Sequence, residues 1–181
     1  MSNTIHNVLT IQEAKTVRDS FSPLEKIIFI TGVTGQDGSH MVDYLLANTN
    51  AIIFGGVRRL SVTNHKNVSH INNKRFFLVN FDLTDAHSIG SIVEKLKPNF
   101  FLNFAAQSFV ASSWDFARQT WMTNCTAVLD ILEAIRIYRP SCRFYNAGSS
   151  EEFGDVLFSP QDETHPLRPR SPYGASKAAA K

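Results

Sequence analysis

The chain has 181 residues, 43% of them hydrophobic, and a formal net charge of +2 without a long block of like charge. That is long enough for one domain with its own core, and it gives no electrostatic reason to expect nucleic acid or an anionic membrane as main partner. No apolar stretch approaches a membrane span, residues 1–25 lack a continuous signal-peptide core, and Cys125 and Cys142 lack metal-ligand spacing, so a cytoplasmic protein with two reduced thiols and no metal is expected.

Residues 1–25 read as an N-terminal extension, a surface leader in which Thr10 to Arg18 suits a short helix broken by Ser20-Phe21-Ser22-Pro23. The domain proper then covers 26–181. Ile27-Ile28-Phe29-Ile30-Thr31 is an apolar run closed by glycines, the pattern of a buried parallel strand. Ser39 to Asn48 follows as a helix with Met41, Val42, Leu45 and Leu46 on one face. Strands are expected over 51–57, 75–81, 100–104 and 142–146. Between them lie a helix over 85–97, with Ile89, Ile92, Val93 and Leu96 inward and Pro98 as its stop, and a long helix from about Phe116 to Tyr138. In the long helix Val128, Leu129, Leu132 and Ile135 recur at helical spacing. Ser159 to Pro172 reads as a loop, and Ser171-Pro172 opens a last helix with little room before Lys181. This alternation predicts an α/β fold, a doubly wound parallel sheet of the Rossmann type.

Gly32-Val33-Thr34-Gly35-Gln36-Asp37-Gly38 joins the first strand to its helix. A tight strand-to-helix turn leaves backbone N–H groups facing a phosphate, and glycine lets a pyrophosphate approach closely. Arg58-Arg59 closes the second strand, where an acid would bind a ribose 2′-hydroxyl and an arginine accommodates a 2′-phosphate. NADP is therefore expected rather than NAD; the competing reading is a solvated basic pair.

Tyr173 and Lys177 stand four apart, which on a helix is one face. A tyrosine takes a hydroxyl proton if a nearby ammonium lowers its pKa. Gly148-Ser149-Ser150-Glu151-Glu152-Phe153-Gly154 follows the fifth strand, where parallel sheets place their sites. Ser149 can hydrogen-bond a reacting oxygen, and one of the two glutamates can serve as a second base. A solvated acidic pair is the plainer alternative.

The glycines at the first, fourth and seventh positions, with the Tyr-xxx-Lys pair, resemble the short-chain dehydrogenase/reductases. Gly35-Gln36-Asp37-Gly38, Arg58-Arg59, Asp82-Leu83-Thr84-Asp85, Ser149-Ser150-Glu151 and Pro169-Arg170-Ser171-Pro172-Tyr173 narrow this. Over Lys26 to Lys181 the chain resembles the N-terminal portion of the GDP-mannose 4,6-dehydratases, lyases of GDP-fucose biosynthesis. The resemblance implies cofactor contacts from Gly32, Thr34, Gly35, Gln36, Asp37, Gly38, Arg58, Arg59, Asp82, Leu83, Ala105, Tyr173 and Lys177. Asp82 is where the superfamily meets the adenine, although it could simply cap the next turn. The implied reaction is redox-neutral. Tyr173 removes the proton of the mannose 4-hydroxyl as NADP⁺ takes the hydride, Glu151 removes the carbon 5 proton and assists loss of water from carbon 6, and the hydride returns to carbon 6. Ser149 stands where threonine is usual.

Ser108, Val110 and Ser149 are the implied substrate contacts, with Phe109 in place of a common histidine. Glu152 replaces an apolar residue and receives no catalytic role. The family dimerises through the long helix and the Tyr-Lys helix, so a homo-oligomer is expected of a complete enzyme. A further C-terminal region grips the GDP-sugar, and this chain by itself is expected to be inactive. A GDP-4-keto-6-deoxy-sugar reductase or epimerase shares the glycine loop and the Tyr-Lys pair, and a non-catalytic nucleotide-binding or assembly protein could keep the fold.

Overall fold

A computed structural model describes residues 7–59 and 64–181. The chain divides into two compact units, one of residues 1–105 and 131–145, the other of 106–130 and 146–181. In chain order the elements are β1 (Val8–Leu9), α1 (Ile11–Asp19), β2 (Ile27–Thr31), α2 (Gln36–Asn48), β3 (Ile52–Val57), β4 (Phe76–Asn80), α3 (Ala86–Leu96), β5 (Phe100–Asn103), α4 (Ala117–Trp121), α5 (Ala127–Tyr138), β6 (Arg143–Asn146) and α6 (Pro172–Ala179).

The strands form one sheet in the order β1-β4-β3-β2-β5-β6, with β1/β4, β3/β4, β2/β3 and β2/β5 parallel. Every residue of β2 and β3 is buried, which is why these strands read as continuous apolar runs and not as alternation. Side chains alternate across the sheet. Ile28 and Ile30 join a cluster with Val33, Val42, Ile53 and Leu78. Phe29 instead meets Phe81 and Phe101, at ring separations of 5.0 and 5.1 Å.

Two expectations are corrected. The extension is not a surface leader over its described part. Val8 and Leu9 pair with Leu78 and Val79 as an added edge strand, and Ala14 of α1 is fully buried. Without β1, the outer edge of β4 would present unpaired backbone groups. Thr10 and Glu13 cap α1 reciprocally, the Thr10 N–H donating to Glu13 at 2.7 Å and the Glu13 N–H to the Thr10 hydroxyl at 3.2 Å. That Thr-x-x-Glu box is visible in the sequence; a two-residue strand carries no pattern.

The long helix runs over 117–138 much as expected, but it is not α-helical throughout, and its inner face differs. A π turn, Met122–Thr126, separates α4 from α5, and the Ala127 N–H bonds the Met122 carbonyl. Val128 and Ile135 are buried as expected, but Leu129 and Leu132 are 60% and 46% exposed, and Ile131 and Ala134 take the inner positions. The helix is apolar on more than one face, so spacing alone does not choose between them. The last helix forms over the eight residues Pro172–Ala179: Ser171 caps it, accepting from the Gly174 N–H at 2.9 Å, and Pro172 starts it.

Candidate functional site

Strand order reverses at β2, whose neighbours are β3 on one side and β5 on the other. Ligands of open α/β sheets bind at this switch point, outside the carboxyl ends of the strands. Gly32 occupies it with φ +70°, and a Cβ there would lie 2.8 Å from the Ala105 nitrogen and 2.9 Å from the Phe104 carbonyl carbon. Only glycine fits such a place without strain. The Thr31 hydroxyl donates to Asn103 Oδ1 at 2.6 Å and accepts from the Ala105 N–H at 3.0 Å, tying the two strand ends together.

α2 begins at Gln36, inside the glycine segment and earlier than the expected Ser39. Gly35 is its N-cap and offers no side-chain oxygen to the first amides, so the helix start keeps donors and the positive end of its dipole for an anion. Gly35, Gln36 and Asp37 are exposed, Thr34 is half-buried, and Gly38 is buried. Arg58 and Arg59 lie exposed directly after β3. Asp82 caps its own turn: Oδ1 accepts from the Thr84 N–H and hydroxyl, both at 2.8 Å. Leu83 beside it is buried.

The second unit holds the other residues picked out from the sequence. Ser149 opens a short helical turn, Ser150–Glu152; its hydroxyl accepts from the Glu151 N–H at 3.2 Å, and its own N–H donates to Glu152 Oε1 at 2.8 Å. α6 presses on this turn through Gly174, where a Cβ would lie 2.6 Å from the Glu151 carbonyl oxygen. Tyr173 and Lys177 are 8% and 5% exposed. The Tyr173 N–H donates to the Ser113 hydroxyl at 3.2 Å, and Lys177 Nζ donates to the Ala147 carbonyl at 2.7 Å. Burial pulls the Lys177 pKa below the ordinary lysine range, while the Glu152 carboxylate pulls it back up. Ser108 is exposed and Val110 half-buried, the Val110 carbonyl accepting from the Ser113 hydroxyl at 2.6 Å.

Asn124 was not singled out from the sequence. On the π turn and 3% exposed, it accepts from the Gln107 N–H at 2.9 Å and donates to the Gln107 carbonyl at 3.0 Å and the Ser176 hydroxyl at 3.2 Å. It thus joins the loop after β5 to the helix of Tyr173 and Lys177. An asparagine within an otherwise apolar helix face was the available signal. Glu152 is the other omission: it is 5% exposed, not a solvated acid.

A family model described as GDP-mannose 4,6 dehydratase matches residues 29–181. The GDP-mannose 4,6 dehydratase 2 of Arabidopsis thaliana is 41% identical over 166 residues, spanning 86% of this chain and 44% of its own length. The GDP-mannose 4,6-dehydratase of Vibrio cholerae is 39% identical over 165 residues, spanning 87% and 44%. Among solved structures, the dTDP-glucose 4,6-dehydratase of Streptomyces venezuelae, solved with NAD bound, superposes with a TM-score of 0.76 at 26% identity, over 85% of this chain and 49% of its own. The UDP-Glc/GlcNAc 4-epimerase of Campylobacter jejuni shares the fold, with a TM-score of 0.77 at 24% identity over 86% and 46%. The chain therefore spans less than half the length of these curated relatives, and over that span it belongs to the GDP-mannose 4,6-dehydratase family.

Proposed function

We propose that the chain carries the nucleotide-binding and acid–base parts of a cytoplasmic, NADP-dependent GDP-mannose 4,6-dehydratase. Such an enzyme forms GDP-4-keto-6-deoxymannose on the way to GDP-fucose and works as a homo-oligomer. The observation that carries the reading is Lys177, a buried lysine one helical turn after Tyr173 with its ammonium on the Ala147 carbonyl. A buried lysine with a shifted pKa, one helical turn from a tyrosine, marks a candidate functional site.

The glycine turn fits a dinucleotide. Its helix start has no side-chain cap, and neither Gly32 nor Gly38 has room for a Cβ, which at Gly38 would lie 2.9 Å from Val33 Cα. The diphosphate would take the amides of Gln36, Asp37 and Gly38, with Thr34 and Gly35 lining the turn. Arg58 and Arg59 would take the 2′-phosphate, Asp82 and Leu83 the adenine, and Ala105 the opposite side of the crevice. Bound NADP supplies the hydride acceptor and, later, the hydride donor.

Tyr173, as phenolate, takes the proton of the sugar 4-hydroxyl, and the Lys177 ammonium favours that phenolate. The Ser149 hydroxyl hydrogen-bonds the same sugar oxygen. A ketone at carbon 4 acidifies carbon 5, so Glu151 can remove that proton and protonate the departing 6-hydroxyl. Ser108 and Val110 line the sugar side.

Titration with NADPH and NADH tests the cofactor. A charge-assisted hydrogen bond contributes about 1.5–3 kcal/mol, so NADPH binds roughly 10- to 100-fold more tightly, and Arg58→Ala with Arg59→Ala removes the difference. Equal affinities in the unaltered chain would sink the assignment. Incubated by itself with GDP-mannose and NADP⁺, the 181-residue chain is expected to release negligible water, because remote contacts orient a substrate and a misplacement of about 1 Å costs on the order of 100-fold. Turnover of about 1 s⁻¹ would overturn that expectation.

A further inference from the structure

Glu152 takes no part in the reaction sketched above, yet it is the most deeply buried acid among the described residues, 5% exposed. Its Oε1 accepts the Ser149 N–H at 2.8 Å. Two residues earlier in the same segment, the Ala147 carbonyl accepts Lys177 Nζ at 2.7 Å. One short stretch of backbone, 147–149, is thereby held at its two ends by a buried acid and a buried base. The site is shaped for the acid: a Cβ at Gly148 would lie 3.0 Å from Glu152 Oε1, tighter than most real contacts.

A lysine ammonium has three donors and no acceptor, and burying it is costly unless opposite charge is close. α6 packs against α4, the π turn and the Ser150–Glu152 turn. The ionisable residues of those elements are Arg118, Cys125, Glu151 and Glu152, with Tyr173 on α6 itself and Lys181 beyond its end. Of these, Glu152 is the buried acid, bound to the same 147–149 segment as Lys177 Nζ, and its charge opposes the effect of burial on Lys177.

We infer that Glu152 is a positioning residue, whose buried carboxylate fixes the Ser149 backbone and keeps the Lys177 ammonium charged beside Tyr173. It touches no reacting atom. It works through Ser149 and Lys177, and so through the proton transfer assigned to Tyr173. That last consequence rests on the function proposed above, whereas the ionisation of Lys177 does not.

The test reads Lys177 directly. Lysine side chains labelled with ¹³C are titrated by NMR in the full chain, and Lys177→Arg identifies the Lys177 signal. Glu152→Gln keeps the acceptor for the Ser149 N–H and removes the charge. It should lower the Lys177 pKa by about one unit, the scale of a nearby opposite charge, while the Ser149 amide stays protected from hydrogen exchange. Glu152→Leu should lower the pKa equally and speed Ser149 exchange by about tenfold or more, since the cap is lost. Gly148→Ala, which crowds the carboxylate, should move the pKa in the same direction and covers the case in which Glu152→Leu does not fold. An unchanged Lys177 titration in Glu152→Gln would reduce Glu152 to a turn cap and overturn the inference. A chain that showed the pKa shift but bound no NADP(H) would instead sink the proposed function and leave this inference standing.

Discussion

In the unit of residues 1–105 and 131–145 the described interior is aliphatic and phenyl, with Thr31, Ser39, Ser88 and Asn103 as its buried polar residues. In the unit of 106–130 and 146–181 the buried apolar residues are Ala127, Val128 and Tyr173, set against Ser113, Thr120, Asn124, Glu152, His165, Ser171, Ser176 and Lys177. The two interiors answer to different rules. Burial of apolar area is non-directional and tolerates any side chain of similar shape. A buried polar group contributes only about 1 kcal/mol when paired, but costs about 1–3 kcal/mol when its partner is taken away. The first unit should therefore respond to lost volume and the second to lost partners. A unit held by specific hydrogen bonds also fixes the orientations of Tyr173, Lys177 and Ser149, which a greasy interior would leave to packing.

The largest effect is expected where volume is lost. Phe101 is fully buried, with rings of Phe29 and Phe144 at 5.1 and 5.9 Å. Phe101→Ala should cost about 3–5 kcal/mol, read from denaturant unfolding. Asn124→Ala removes far less apolar volume but strands the Gln107 N–H and two further bonds, for an expected loss of about 1–3 kcal/mol. If Asn124→Ala cost nothing, the second interior would be held by packing after all, and the contrast would collapse.

The same contrast governs what could be read from the sequence. Strands buried on both faces announce themselves, so β2 and β3 were legible; β4 to β6, only partly covered, were legible from their short aromatic runs, and α3 and the glycine turn between β2 and α2 from spacing. Tyr173, Lys177 and Ser149 were picked out as candidates because their types and spacing carry chemistry. Asn124 and Glu152 were not, because a polar residue's burial depends on partners distant in sequence, such as Gln107 for Asn124. The face of α5 was misassigned for a related reason: Leu129 and Ile131 are equally apolar, and only tertiary packing says which one turns inward. The two-residue β1 had no pattern to give.

The units also differ in how they titrate. In the first, burial raises the Cys142 thiol from 9.0 to about 11. Its folded pKa lies above its unfolded one, so the stability it contributes is complete below about pH 9 and is lost as pH rises through about 11. In the second, burial lowers Lys177 from 10.5, with Glu152 opposing. Its contribution is present above 10.5 and lost as pH falls through the folded value. Between pH 9 and 11 the two slopes have opposite sign. Stability followed over that range should fall less steeply in Cys142→Ala than in the unaltered chain, and more steeply in Lys177→Met. Parallel curves for all three would show that neither group is buried enough to titrate differently when folded.

The smallest expected effect is a gain, and it probes whether the second interior is satisfied throughout. Thr120 is fully buried on α4, and its N–H makes the ordinary helical bond to the Phe116 carbonyl at 2.9 Å, but its hydroxyl has no partner among the described residues. The cost of taking that hydroxyl out of water is already present in the folded chain. Valine has the same shape and a helix propensity close to that of threonine, so Thr120→Val removes the unpaired oxygen and leaves the packing as it was. Stability should rise by about 1 kcal/mol. Ser113 gives the matched control, since its hydroxyl donates to the Val110 carbonyl and accepts from the Tyr173 N–H. Ser113→Ala should destabilise by about as much as Thr120→Val stabilises. Unfolding curves of the two variants decide the point: a loss in both would mean that the Thr120 hydroxyl has a partner in solution, leaving Gln107 Oε1 as the buried side-chain acceptor of this unit with none among the described residues.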